Sequence, residues 1–213
     1  KIEGNERSKI LEKTEAMAGQ GYRVLGVAST SFPGQDFPDE QGDFPWKFEG
    51  LVAFFDPPRE GVSKVFKKFY KAGIRVVMIT GDHLATAKNI AKSTGLKDWE
   101  TAMTGQEIMK LDEHALKEAV KKVTVFARMF PDAKLRIVNA LKSNGETVAM
   151  SGDGVNDGPA LKAAQIGVAM GKKGTEIAKS AASLVLLNDD LGAMVTAIKM
   201  GRRIYDNLRK AIR

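Results

Sequence analysis

The 213-residue sequence contains no cysteine, which excludes disulfides, thiolate zinc sites and cysteine nucleophiles. Histidine is nearly absent as well. His83 and His114 lie on different segments, which argues against a histidine metal cluster. No apolar run of about 18 residues occurs, so no stretch of this sequence reads as a membrane-spanning helix. Aromatic residues make up only 7% of the chain and do not alternate with basic ones. That matters because a net charge of +7 and a pI near 9.5 would otherwise invite a nucleic-acid reading. The lysines and arginines are mostly dispersed beside Glu and Asp, as on solvated helix faces, and nucleic acid is not expected as a partner. The exception is the stretch 201–213, where Arg202, Arg203, Arg209, Lys210 and Arg213 crowd together. A basic segment of this kind is typical of the cytoplasmic side of a membrane, just before a span. No charged-then-apolar leader precedes Lys1, and the chain reads as a fragment of a longer protein.

What the sequence does have is alternation. A composition of 43% hydrophobic and 28% charged residues is that of a globular protein, long enough for one domain and an appendage. Helix-period residues around Ser8–Ala18 precede an apolar strand, Tyr22–Ala28. Residues 31–48 hold three prolines, four phenylalanines and several acids with no period, and read as an ordered linker. From Leu51 onward strands and helices alternate. Leu51–Phe55, Arg75–Ile79, Val123–Ala127, Thr147–Met150, Ile166–Met170 and Leu184–Leu187 are expected strands. Thr104 and Glu107 form an expected capping box, Pro131 an expected first helical residue, and a long one-faced helix is expected from Leu191. Such alternation predicts an α/β fold with a doubly wound parallel sheet. The expected divisions are residues 1–48, residues 49–190 and a terminal helix 191–213.

Three of those strands end in polar loops. Ser151-Gly152-Asp153-Gly154-Val155-Asn156-Asp157 follows Met150, and the string runs on as Gly158-Pro159-Ala160-Leu161. Thr80-Gly81-Asp82 follows Ile79, and Arg128 through Lys134 follows Ala127. In a parallel sheet these carboxyl ends share one edge, where ligands bind. Thr80 offers a hydrogen bond to a phosphoryl oxygen, Lys134 a compact cation, and Asp153 with Asp157 the hard oxygen that Mg²⁺ prefers. A hydroxyl, a lysine and a carboxylate pair suit phosphoryl transfer, which needs positioning and charge neutralisation above all.

The string 151–161 resembles the hinge signature TGDGVNDAPAL of P-type cation-transporting ATPases, with Ser151 for Thr and Gly158 for Ala. Asp56-Pro57-Pro58-Arg59, Met78–Asp82 and Phe126–Lys134 resemble that family's other phosphorylation-domain signatures, in the family's order. The resemblance implies a haloacid-dehalogenase-like, Rossmannoid domain carrying a small remnant of an α+β nucleotide-binding domain at residues 1–48. It implies Thr80, Lys134, Asp153 and Asp157 as catalytic residues, with Asp153 and Asp157 toward Mg²⁺. It also implies ATP contacts at Arg23, Thr80, Gly81, Asp82, Arg128, Lys134 and Asn156. The implied partners are the rest of the phosphorylation domain, an actuator domain and a transmembrane domain of the same pump. Gly174–Ser183 and the terminal helix resemble the type II branch. The family's phosphorylated Asp lies in a DKTGT motif, and this sequence has none. The piece alone is therefore expected to be inactive. Two other readings stand beside this one. A free-standing phosphatase would use Asp56 as nucleophile, but its second acid would fall at Pro58. A non-catalytic nucleotide-binding or regulatory module would also tolerate the missing nucleophile.

Overall fold

A computed structural model of the chain describes residues 4–32 and 37–212. Part of the expected linker, residues 33–36, therefore lies outside the described residues, as do residues 1–3 and 213. The amino-terminal unit is a helix and a hairpin. Helix α1 (Gly4–Gly19) leads through Gly21, whose φ of 93° suits glycine, into β1 (Tyr22–Ser29). Strand β1 pairs antiparallel with β2 (Lys47–Phe55), with Arg23 opposite Phe54 and Leu25 opposite Val52. Leu51–Phe55 was expected to be a buried strand. Instead Val52, Phe54 and Phe55 are exposed, because a two-stranded ribbon has no further layer to cover them. The hairpin also runs across the expected division at residues 48 and 49. Thr86 and Asn89 donate hydrogen bonds to the Tyr22 and Gly19 carbonyls and attach this unit to the rest.

The remainder is α/β with two parallel sheets. Helix α2 (Val62–Lys71) leads to β3 (Met78–Ile79), which sits beside β5 (Val125–Ala127), with β4 (Ala102–Thr104) on the far side. Strand β6 (Ala149–Gly152) pairs with β7 (Ile166–Met170), which pairs with β8 (Leu184–Leu186). All four strand pairings are parallel, as the alternation predicts. The helices between them carry the expected punctuation. Helix α3 (Leu84–Ser93) is capped by His83, whose Nδ1 accepts from Ala85 N–H. His83 is therefore a helix-capping residue. Thr104 and Glu107 form the expected capping box at α4 (Gly105–Lys110), and α5 (Glu113–Lys122) follows. Pro131 opens α6 (Pro131–Ser143), which Asn144 and Gly145 close. After α7 (Gly158–Ala163) and α8 (Glu176–Ala181) comes the long terminal helix α9 (Gly192–Ile212).

Helix α6 unites the two sheets. Its Ile137 joins a cluster with Ile108, Leu116, Val120 and Phe126, while the adjacent Val138 joins Met150, Leu161 and Ala169. Ile79 packs against both clusters, so β3 and β6, each an edge strand, belong to neighbouring edges. No ladder joins them among the described residues. Phe126 is fully buried in the first of these clusters. Phe126→Ala should lower unfolding stability by ~3–5 kcal/mol, whereas Leu208→Ala on the exposed end of α9 should stay within ~0.5 kcal/mol. Urea unfolding monitored by circular dichroism measures both.

Candidate functional site

The polar loops emerge at the carboxyl ends of β3, β5 and β6, as a parallel arrangement requires. Beyond β3, the Thr80 hydroxyl donates to Asp82 Oδ2 at 2.9 Å and accepts from Asp82 N–H at 3.1 Å. This small ring fixes the turn Thr80-Gly81-Asp82. The loop after β5 braces it from the side: Arg128 N–H donates to the Asp82 carbonyl and Met129 N–H to the Thr80 carbonyl. Arg128 manages this with a left-handed φ of 49°, a strained choice for a side chain with a Cβ, and its guanidinium-bearing side chain is exposed. Gly81 is also exposed, so the tip of the turn remains open.

The second cluster centres on Asp157. Its Oδ1 accepts from Lys134 Nζ at 2.7 Å, and its Oδ2 accepts from the backbone N–H groups of Asp153 and Gly154 at 3.3 and 3.2 Å. The side chains of Lys134 and Asp157 are only 12% and 11% exposed. Lys134 lies in the first turn of α6, so the ion pair ties that helix to the loop after β6. Gly152 has to be glycine, because a Cβ there would lie 2.6 Å from the Asp157 Cβ. Asp153 and Asn156 are exposed, and the Asp153 carbonyl accepts from Thr175 N–H at 2.8 Å. The loop thus turns the Asp157 carboxylate inward while Asp153 faces solvent.

Of the sequence-predicted residues, Thr80, Gly81, Asp82 and Arg128 form one hydrogen-bonded group, and Lys134, Asp153 and Asp157 form another. Asn156 lies on the second loop without a side-chain hydrogen bond among the described residues. Arg23 is exposed on the hairpin and bonds to neither group. The two expected metal carboxylates differ in their surroundings: Asp157 is engaged at both oxygens, and Asp153 is open. No group of three or more His, Cys, Asp or Glu side chains converges among the described residues. Mg²⁺ rarely asks for such a cage, since it takes one or two carboxylates together with substrate phosphate and water.

Sequence reasoning missed a third cluster. Asp189, just before α9, is 4% exposed and adopts a φ of 56°. Its carboxylate accepts from the N–H groups of Lys172 and Lys173, at 2.9 and 3.2 Å. Arg59 approaches the same carboxylate at 3.5 Å and donates to the Asp189 carbonyl at 2.5 Å. Burial alone would raise this carboxyl's pKa, but the two N–H donors and Arg59 outweigh it and hold the group below its ordinary value. In the sequence, Asn188-Asp189-Asp190 offers only the signal of a helix start.

Residues 12–165 match the haloacid dehalogenase-like hydrolase family, and the chain belongs to it. Within that class, the chain is similar to cation-transporting ATPases. It is 49% identical over 213 residues to calcium-transporting ATPase 1 of Lactococcus lactis. It is 45% identical over 212 residues to a calcium-transporting ATPase of Bacillus subtilis, and 43% over 214 residues to the probable cation-transporting ATPase F of Mycobacterium tuberculosis. These alignments cover 97–98% of this chain but only 24% of each relative, so the chain spans about a quarter of the proteins it matches.

Removing one partner of the nearly buried pair exposes its worth. Asp157→Ala should destabilise by about 3 kcal/mol, because it strands the Lys134 ammonium and two loop N–H groups. Asp157→Asn should cost less, and urea midpoints at neutral pH separate the two. A carboxyl whose folded pKa is depressed stabilises fully above its unfolded pKa and loses that contribution as pH falls through the folded value. For Asp189 the loss should begin near its ordinary value of 3.8 and continue below it. Asp189→Asn should flatten the pH dependence of the unfolding midpoint in that acid range.

Proposed function

We propose that this chain is the carboxyl-terminal part of the cytoplasmic catalytic unit of a P-type cation pump. It comprises the end of a nucleotide-binding domain, most of a phosphorylation domain and the start of a stalk helix. The pump would transfer the γ-phosphoryl group of ATP to an Asp supplied from outside these 213 residues, and hydrolysis of that aspartyl phosphate would complete the cycle. The observation that carries this reading is the frame around the two loops. Ile79 of edge strand β3 packs against the core that holds Met150 of edge strand β6, no ladder joins the two strands among the described residues, and their carboxyl ends bear Thr80 and Asp153. A parallel strand seated between them would unite the two sheets and deliver its own carboxylate beside both residues. The relatives' additional length supplies room for such a segment.

In this reading Thr80 donates to a phosphoryl oxygen, and Lys134 neutralises the charge that builds on the equatorial oxygens. Asp153 would hold Mg²⁺, and Asp157 orients Lys134 and the loop. Mg²⁺, when bound, supplies charge neutralisation between carboxylate and phosphate. Gly81, Asp82, Arg128 and Asn156 line the approach of ATP. Arg23 reaches the nucleotide only if the hairpin unit closes over the loops.

The phosphatase alternative finds less support. Asp56 follows β2, whose ladder is with β1 in the hairpin, away from the parallel strands that carry Thr80 and Asp153. Incubated with labelled ATP and Mg²⁺, the full-length protein should form an acid-stable, hydroxylamine-labile phosphoprotein, while the 213-residue chain should form none. Lys134→Ala in the full-length protein should reduce labelling on the order of 10²-fold or more. Asp56→Asn should leave it largely intact. Labelling of the 213-residue chain that vanishes in Asp56→Asn would replace the pump with the phosphatase.

A further inference from the structure

The positive charge of this protein is concentrated on one pair of helices. Helix α2 carries Lys64, Lys67, Lys68 and Lys71 and no carboxylate. Helix α9 carries Lys199, Arg202, Arg203, Arg209 and Lys210 against the single Asp206. The pair therefore holds a net +8 in a chain whose total is +7, which leaves the remainder at −1. All nine cationic side chains are exposed, and none lies within 4.0 Å of a carboxylate among the described residues. The five ion pairs of the described residues, Lys134–Asp157 and Arg59–Asp189 among them, all lie outside this helix pair.

The two helices meet over a cavity of about 250 Å³. Its floor is apolar, with Phe69, Val195 and Ile198 among the lining side chains, and Lys68, Lys71, Lys199 and Arg202 stand around it. Phe69 and Val195 are 7% and 8% exposed, so the floor is part of the packed body. Beyond the cavity α9 continues as a free rod. Met200, Ile204, Tyr205 and Leu208 recur along it, all more than half exposed. A packed, carboxylate-free cluster of cations over an apolar floor, continuous with an amphipathic helix, is the pattern by which polybasic segments bind anionic lipid.

We propose that the slot between α2 and α9 binds the head group of an anionic phospholipid at the bilayer surface. The phosphate would sit among Lys68, Lys71, Lys199 and Arg202, with the glycerol and first methylenes against Phe69, Val195 and Ile198. An acidic protein segment would satisfy the same charges, but it would not depend on lipid composition. The proposal rests on the reading of the whole protein as a membrane pump, and the test keeps the two apart.

The full-length protein is placed in nanodiscs of phosphatidylcholine alone, or with about one third phosphatidylglycerol, and lysine acylation rates are read by mass spectrometry. Lys68, Lys71 and Lys199 should react on the order of tenfold more slowly in the anionic discs, while Lys110 on α4 should be unaffected. High salt should abolish the difference, and Arg202→Gln should weaken it about fivefold. Equal reactivity in the two lipids would overturn the proposal. If the three lysines are slow in both, an acidic segment of the protein occupies the slot; if fast in both, nothing does. Failure of the protein to enter nanodiscs at all would instead overturn the pump reading.

Discussion

The buried carboxylate of Asp157 is the constraint on which the candidate site depends. A carboxylate with so little exposure is tolerable only if its charge is matched and its lone pairs are used. Asp157 meets both conditions with three donors from two segments: the ammonium of Lys134 and the N–H groups of Asp153 and Gly154. The loop after β6 must therefore curl back on itself, which is why Gly152 cannot carry a side chain there. Helix α6 must start close enough for its first turn to reach the loop, and the same helix fills the cores of both sheets. Charge satisfaction at one atom pair and hydrophobic packing along one helix thus demand the same placement, the agreement between levels that favours a unique fold.

The two outer clusters follow from that placement. With α6 fixed, the loop that enters it from β5 is fixed too, and its N–H groups hold the Thr80-Gly81-Asp82 turn. The strain of Arg128 at positive φ is the local cost of this bracing. The outcome is a braced edge whose open groups are Gly81 and the Arg128 side chain at one tip, and the Asp153 and Asn156 side chains at the other.

Much of this was legible in the sequence. The capping box at Thr104, the first-turn Pro131, the Gly145 stop and the span of β7 all follow from local chemistry, and local chemistry decided them. The parallel arrangement followed from alternation. Less legible was anything set by distant partners. Leu51–Phe55 has the composition of a buried strand, yet composition cannot say how many layers cover it, and as half of a ribbon it is exposed. The strand expected at Arg75–Ile79 is reduced to two residues because its pairing with β5 extends no further. For the site, residue types and spacing identified which groups stand on the loops. They did not reveal that Asp157 points inward to Lys134 while Asp153 points outward, since that depends on loop curvature. The Arg59–Asp189 contact joins residues 130 apart in sequence, and no periodicity reports such a meeting.

That contact has a mechanical consequence. Asp189 is a single carboxylate shared by three segments: Arg59 beyond the hairpin, the Lys172–Lys173 turn after β7, and the entrance to α9. Two residues beyond that turn, Thr175 grips the Asp153 carbonyl. Slack in such a linkage is small, because a nearly buried anion that parts from any one donor must find another or be rehydrated. A rotation of the hairpin about residues 56–61 would therefore not dissipate in a flexible tether. It would act as torque on the root of α9, with the loop carrying Asp153 on the same axle.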